Sequence, residues 1–145
     1  MSKSEDFPVA EATETKLTRI AVVDDEKMLL SVFSSLMRQF GFHADFFSSP
    51  VKALDMILAD PRRYQLVISD IMMPQLDGIA FAKKVRFVLP NMPIMFMTGH
   101  ASATLQEEAL KLGNVVFLEK PFPLEHTLKE VIPKFLSEQN TKQAP

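Results

Sequence analysis

The chain has 145 residues, 47% of them hydrophobic and 23% charged, with a net charge of −2: one domain's length, and apolar enough for a buried core. Lysine and arginine are dispersed, which argues against a broad nucleic-acid surface, and the lack of cysteine excludes disulfides, thiolate metal sites and cysteine nucleophiles. The polar, acidic start (Ser4-Glu5-Asp6) is unlike a signal peptide, no apolar run is long enough to span a membrane, and the whole fits a reducing cytoplasm.

Residues 1–17 have no hydrophobic period and read as a flexible leader, followed by a domain over 18–137 and a flexible tail over 138–145. Within the domain, apolar strands alternate with amphipathic helices. Strands are predicted at 19–23, 43–47, 65–69, 93–97 and 115–118, most of them short and apolar as strands covered on both faces should be. The first helix, about 26–40, turns Leu29, Val32, Phe33, Leu36, Met37 and Phe40 to one side and ends at Gly41. The second starts at Ser49-Pro50, an N-cap followed by a first-turn proline, and ends near Asp60. The third, about 78–87, points Ile79, Ala82 and Val85 inward; the fourth, about 102–112, does so with Leu105, Ala109 and Leu112. The fifth, about 123–136, presents Leu124, Leu128, Val131, Ile132 and Phe135, and carries Pro133, which predicts a kink near Lys129. Strict alternation implies an α/β fold, a doubly wound parallel sheet of five strands with five helices. The flavodoxin-like order 2-1-3-4-5 is the natural expectation for so short a chain.

That order makes the first and third strands neighbours, and polar residues then gather on one rim of the sheet. The first strand leads into Asp24-Asp25, the third into Asp70, the fourth into Thr98 and the fifth into Lys120. Three carboxylates this close repel one another unless a cation intervenes, and a hard divalent ion with oxygen ligands, Mg²⁺ above all, suits them. The ammonium and the hydroxyl then suit a further anion. A phosphoryl group fits, because Mg²⁺, an ammonium and a hydroxyl can share the charge of its oxygens. Asp70 would be the nucleophile, since an aspartate can form an acyl phosphate.

At this point the sequence resembles the receiver domains of two-component response regulators, in particular a stand-alone, chemotaxis-regulator-like receiver. The matching residues are Val22-Val23-Asp24-Asp25-Glu26, Ser69-Asp70-Ile71-Met72-Met73-Pro74 with Asp77-Gly78, Thr98-Gly99-His100, and Lys120-Pro121-Phe122. Each motif is weak alone; together, in order and at strand ends, they are specific. The resemblance implies that Asp70 accepts a phosphoryl group from a sensor histidine kinase or a histidine phosphotransfer protein. It implies Mg²⁺ held by Asp25, Asp70 and the Met72 carbonyl, with Asp24 acting largely through water. Lys120 would pair with Asp70 and the phosphoryl oxygens, Thr98 would swing toward the phosphate, and Phe117 would rotate inward with it. That movement would alter the surface of the fourth helix, fifth strand and fifth helix for a downstream protein partner, leaving open whether a homodimer forms. The Lys120-Pro121 bond is expected to be cis. Only about nine residues follow the predicted fifth helix, so no output domain is expected in this chain: it would be either a stand-alone receiver, acting by protein contact or as a phosphorelay intermediate, or a receiver excised from a larger protein, a switch rather than an enzyme, without direct nucleic-acid contact or membrane insertion.

Plainer readings hold for several other residues. Glu26 reads as a first-turn helix acid, Asp77-Gly78 as a helix start, and the methionines (Met72, Met73, Met92, Met95, Met97) as core filling. Phe42, Phe46 and Phe47 read as packing. Met72 and His100 flank the expected path of attacking water and would set the lifetime of the phosphate, although His100 reads equally as an exposed loop residue. A phosphohydrolase resembling the haloacid dehalogenases would need an aspartate where Met72 stands. A flavin site would need a phosphate-cradling loop after the first strand, where Asp24-Asp25-Glu26 would instead repel the phosphate.

Overall fold

Alternate residues of each central strand go to opposite faces of the sheet, and both faces are covered. The computed structural model describes residues 18–99 and 102–143. Five strands, β1 (Arg19–Val23), β2 (His43–Phe47), β3 (Leu66–Asp70), β4 (Ile94–Thr98) and β5 (Val115–Glu119), form one parallel sheet in the order β2-β1-β3-β4-β5. This is the expected flavodoxin-like topology. The helices are α1 (Lys27–Gln39), α2 (Pro50–Ala59), α3 (Gly78–Val88) and α4 (Ala103–Lys111). The last helix, α5, is built of Leu124–His126, a π-helical stretch Thr127–Val131, and Ile132–Gln143.

On one face, Ile20 and Val22 of β1 and Leu66 and Ile68 of β3 pack against Phe33 and Met37 of α1 and Leu128, Ile132 and Phe135 of α5. On the other, Ala21, Val23, Val67, Ile94 and Phe96 meet Ala53 and Ile57 of α2, Ile79, Ala82 and Val85 of α3, and Ala109 of α4. β3 and β4 are buried along their whole length, which suits their apolar runs 66–68 and 94–97. Met73, Met92, Met95 and Met97 fill the core as expected, but Met72 is exposed. Among the described residues, no helix is long and apolar enough to cross a membrane.

Several expectations shift. β3 and β4 each end one residue later than predicted, so Asp70 and Thr98 are the last residues of their strands rather than the first beyond them. The ladder continues there, with Asp70 opposite Met97 and the Ile71 amide donating to the Met97 carbonyl at 3.1 Å. Val32 was expected inward on α1 but faces solvent. It stands about 100° from Phe33 around the helix, and Leu30 takes the buried place. Leu105 and Leu112 are half-buried rather than core, leaving Ala109 as the buried residue of α4.

α5 departs most. It was expected to end near 136, with a flexible tail from 138, yet it stays helical to Gln143. The disturbance expected from Pro133 takes the form of the π-helical stretch Thr127–Val131, which ends two residues before it. Proline lacks the amide that would donate to the Lys129 carbonyl, and its ring crowds that carbonyl; a wider turn relieves both. The proposed leader, 1–17, lies outside the described residues.

Candidate functional site

The four strand ends that carry Asp24-Asp25, Asp70, Thr98 and Lys120 meet at the carboxyl edge of the sheet. The carboxylates of Asp24, Asp25 and Asp70 each offer an oxygen, and these lie within 4.8 Å of one another. Asp24 and Asp70 are buried while Asp25 is exposed. Asp24 follows β1, and its carboxylate accepts from the Glu26 amide at 2.8 Å, which holds it beside the start of α1. Asp70 closes β3 and accepts from the Met72 amide at 3.2 Å, which anchors the side chain at the rim.

Lys120 reaches this cluster from the end of β5. Its amide donates to the Thr98 carbonyl at 2.7 Å, tying the β5 exit to β4, and the Lys120–Pro121 bond is cis as expected. Its ammonium donates to Asp24 Oδ2 at 3.0 Å, Glu26 Oε1 at 3.0 Å and Asp70 Oδ2 at 3.1 Å. An ammonium has three donor hydrogens, and all three are engaged. Burial alone would favour the neutral amine, but the hydrogen bonds and charges of Asp24, Glu26 and Asp70 outweigh it and hold the Lys120 pKa above its ordinary value. For Asp24 the balance goes the other way. Burial pushes its pKa up, and the Glu26 amide and Lys120 offset this only in part.

Thr98 ends β4, buried, and its hydroxyl has no hydrogen-bond partner among the described residues. An unsatisfied buried hydroxyl is costly, and such a group calls for a functional explanation. Phe117, one strand over, is half-buried and stacks on Phe96, with ring centroids 5.8 Å apart and planes 28° from parallel. Met72 sits at the mouth of the cluster, exposed. His100, the other residue expected to bear on phosphate lifetime, lies outside the described residues.

The donor set fits a hard divalent cation. The carboxylates of Asp24, Asp25 and Asp70 converge as hard oxygen donors, and a single ammonium, Lys120, offsets Asp24, Asp70 and the neighbouring Glu26. Beside Lys120, a groove of about 390 Å³ is lined by Glu26, Leu29, Pro121, Phe122 and Leu124.

Two features of the site were not anticipated. Glu26, read as a helix-start acid, caps nothing with its side chain and is instead a direct partner of Lys120. The hint was the run Asp24-Asp25-Glu26 itself, three acids at one strand exit. Gly78, read as part of a helix start, does begin α3, where Asp77 caps the Ala80 amide at 2.8 Å. It also abuts the backbone of Asp70: its amide donates to the Ile71 carbonyl at 2.7 Å, and a Cβ there would overlap the Asp70 carbonyl. Nothing in the local sequence announces that approach.

Comparison with known proteins agrees with this arrangement. The family described as response regulator receiver domain matches residues 20–132. The chain is 38% identical over 103 residues to the transcriptional regulatory protein FixJ of Bradyrhizobium diazoefficiens, covering 71% of this chain and 49% of FixJ, so it spans about half the length of that relative. It is 27% identical over 115 residues to the response regulator receiver protein CpdR of Brucella abortus, covering 79% of this chain and 94% of CpdR. Among solved structures, a response regulator receiver protein from Sinorhizobium medicae superposes with a TM-score of 0.73 at 30% identity, covering 86% of this chain and 98% of that one. The chain therefore belongs to the response regulator receiver domains, the phosphoacceptor modules of two-component signalling.

Proposed function

We propose that Asp70 is the phosphoacceptor, taking its phosphoryl group from a phosphohistidine on a sensor histidine kinase or a histidine phosphotransfer protein in a Mg²⁺-dependent reaction. The observation that carries this reading is the meeting of Asp24, Asp25 and Asp70 within 4.8 Å, with Lys120 donating to Asp70 at 3.1 Å. An Asp70 carboxylate oxygen attacks phosphorus, an O–P bond forms as the P–N bond to the imidazole breaks, and the imidazole leaves with the electron pair. Lys120 shares the charge of the phosphoryl oxygens, and the unpartnered Thr98 hydroxyl donates to one of them. Asp25, Asp70 and the Met72 carbonyl would hold Mg²⁺, with Asp24 acting through water, and the ion would neutralise charge on the oxygens in transfer.

When Thr98 moves to the phosphate, space opens beside it and Phe117 rotates inward. The surface of α4, β5 and α5 changes, and a downstream protein reads the change. Met72 and His100 set how long the phosphate lasts. The domain acts in the cytoplasm as a switch that is its own substrate, not as a turnover enzyme.

Intact-mass spectrometry after incubation with acetyl phosphate, with and without Mg²⁺, tests the proposal. One phosphoryl adduct is expected, dependent on Mg²⁺ and missing from Asp70→Ala. Full labelling of Asp70→Ala would overturn the assignment.

A further inference from the structure

We infer that Glu26 is the exchangeable counter-ion of Lys120, a positioning residue that holds the third donor of the ammonium until a phosphoryl oxygen displaces it. The inference rests on the phosphoacceptor reading of Asp70 and adds to it a competitor built into the site. All three hydrogens of the ammonium are engaged, by Asp24, Glu26 and Asp70 at nearly equal distances of 3.0, 3.0 and 3.1 Å. Lys120 therefore cannot take up a phosphoryl oxygen without releasing one partner.

Which partner yields follows from burial. The Asp24 side chain is 0% exposed, so a carboxylate released there would be stranded away from water, and Asp70, 9% exposed, is itself the group that carries the phosphoryl oxygens to Lys120. The Glu26 side chain is 63% exposed, and water can solvate it as soon as Lys120 lets go. Its side chain has no other duty at the start of α1, where it makes no capping hydrogen bond. The contact between Glu26 and Lys120 thus belongs to the unphosphorylated state alone. An interaction made in only one of two states biases the equilibrium toward that state. Glu26 opposes phosphoryl binding and sets how readily Lys120 engages.

Charge alone would also oppose an incoming anion, so the test must separate reach from charge. Glu26→Ala removes both the contact and the charge. Glu26→Asp keeps the charge but shortens the side chain away from Lys120, and an aspartate there is drawn to the free amides of its own helix. Each protein is titrated with beryllium fluoride, a mimic of the phosphoryl group, at saturating Mg²⁺ and followed by ¹⁹F NMR, with urea melts as the stability control. Both variants are expected to bind the mimic about two- to five-fold more tightly than the unmodified chain, the range an exposed ion pair commands, with stability little changed. If Glu26→Asp matches the unmodified chain, whatever Glu26→Ala does, the contact has no such role and the inference falls. Weaker binding by either variant overturns it too, since Glu26 would then be assisting the bound state. An unmodified chain that takes up no beryllium fluoride overturns the reading of Asp70 first, before the variants are compared.

Discussion

The carbonyl oxygen of Asp70 occupies the space into which any side chain on Gly78 would have to grow. That carbonyl is also fixed by the Ser69 hydroxyl at 2.9 Å, and Ile71 beyond it accepts the Gly78 amide. The start of α3 is thus seated directly on the backbone that carries the proposed phosphoacceptor. Gly78→Ala has to push apart two backbones rather than a flexible side chain. It is expected to cost about 1–3 kcal/mol of stability, as overpacking does, and to slow labelling by acetyl phosphate as Asp70 shifts. Urea denaturation and the rate of adduct formation measure the two effects. Wild-type stability in Gly78→Ala would show that the helix start moves freely.

Mg²⁺ should stabilise the fold by mass action. A ligand at 100 times its dissociation constant that binds only the native state contributes about 2.7 kcal/mol. The thermal midpoint is expected to rise with Mg²⁺ and fall back on adding a chelator. Asp25 is exposed, so Asp25→Asn leaves the core untouched while removing one charged donor from the cluster. That variant should match or exceed the unmodified chain's metal-free midpoint, since one repelling charge is gone, and lose most of the Mg²⁺-dependent rise in a differential scanning experiment. An undiminished rise would remove Asp25 from the ligand set.

A polar cluster at the opposite part of the sheet sets a pH dependence. Tyr64, buried at 4% exposure, donates to Asp45 Oδ2 at 2.6 Å, and Arg63 donates to the same oxygen at 3.0 Å. Burial, together with the hydrogen bond to Asp45, pushes the Tyr64 pKa from 10.0 up to about 12. Burial alone would raise Asp45, but its bonds to Tyr64 and Arg63 prevail and hold it below its ordinary 3.8. A raised Tyr64 contributes stability that is fully present below pH 10.0 and lost as pH climbs toward about 12. A depressed Asp45 contributes stability present above pH 3.8 and lost as pH falls below that value. Tyr64→Phe is expected to cost about 1 kcal/mol at neutral pH, a modest loss because Asp45 keeps Arg63. It should also flatten the alkaline limb of stability against pH. An unchanged limb would place the alkaline loss elsewhere.

Arg86 clamps one end of α3 to two loops with no carboxylate involved. Its guanidinium donates to the carbonyls of Met92 at 2.6 Å, Leu112 at 2.8 Å, Gly113 at 2.8 Å and Asn114 at 3.0 Å. A lysine has neither the planar fork nor the five donors that this needs. Arg86→Lys is expected to destabilise by about 2 kcal/mol, as carbonyls lose their partners. Acetyl phosphate labelling of the folded fraction should be unchanged. Chemical denaturation alongside mass spectrometry checks both, and a change in labelling alone would assign Arg86 to the site.

Much of the molecule is determined locally and is legible in the amino-acid sequence. A strand covered on both faces must be largely apolar and a surface helix must repeat its apolar residues every turn, so the central strands β1, β3 and β4 and the positions of α1 to α4 follow from pattern, and the half-buried β2 and β5 from their places in the alternation. Alternation of strands and helices restricts the topology, and the exits of the strands name Asp24, Asp25, Asp70, Thr98 and Lys120. Tertiary structure alone decided what those residues touch. Glu26 is 94 residues from Lys120, and no periodicity links a helix-start acid to a lysine at the far end of the chain. The abutment of Gly78 on Asp70 depends on how a loop returns to the strand it left, and the hold of Arg86 depends on two loops meeting at one guanidinium. Val32 faced outward because the centre of an apolar stripe is set by what it packs against, not by the stripe alone. Local pattern follows from the geometry of one helix or strand; contacts between distant segments exist only after the chain has closed.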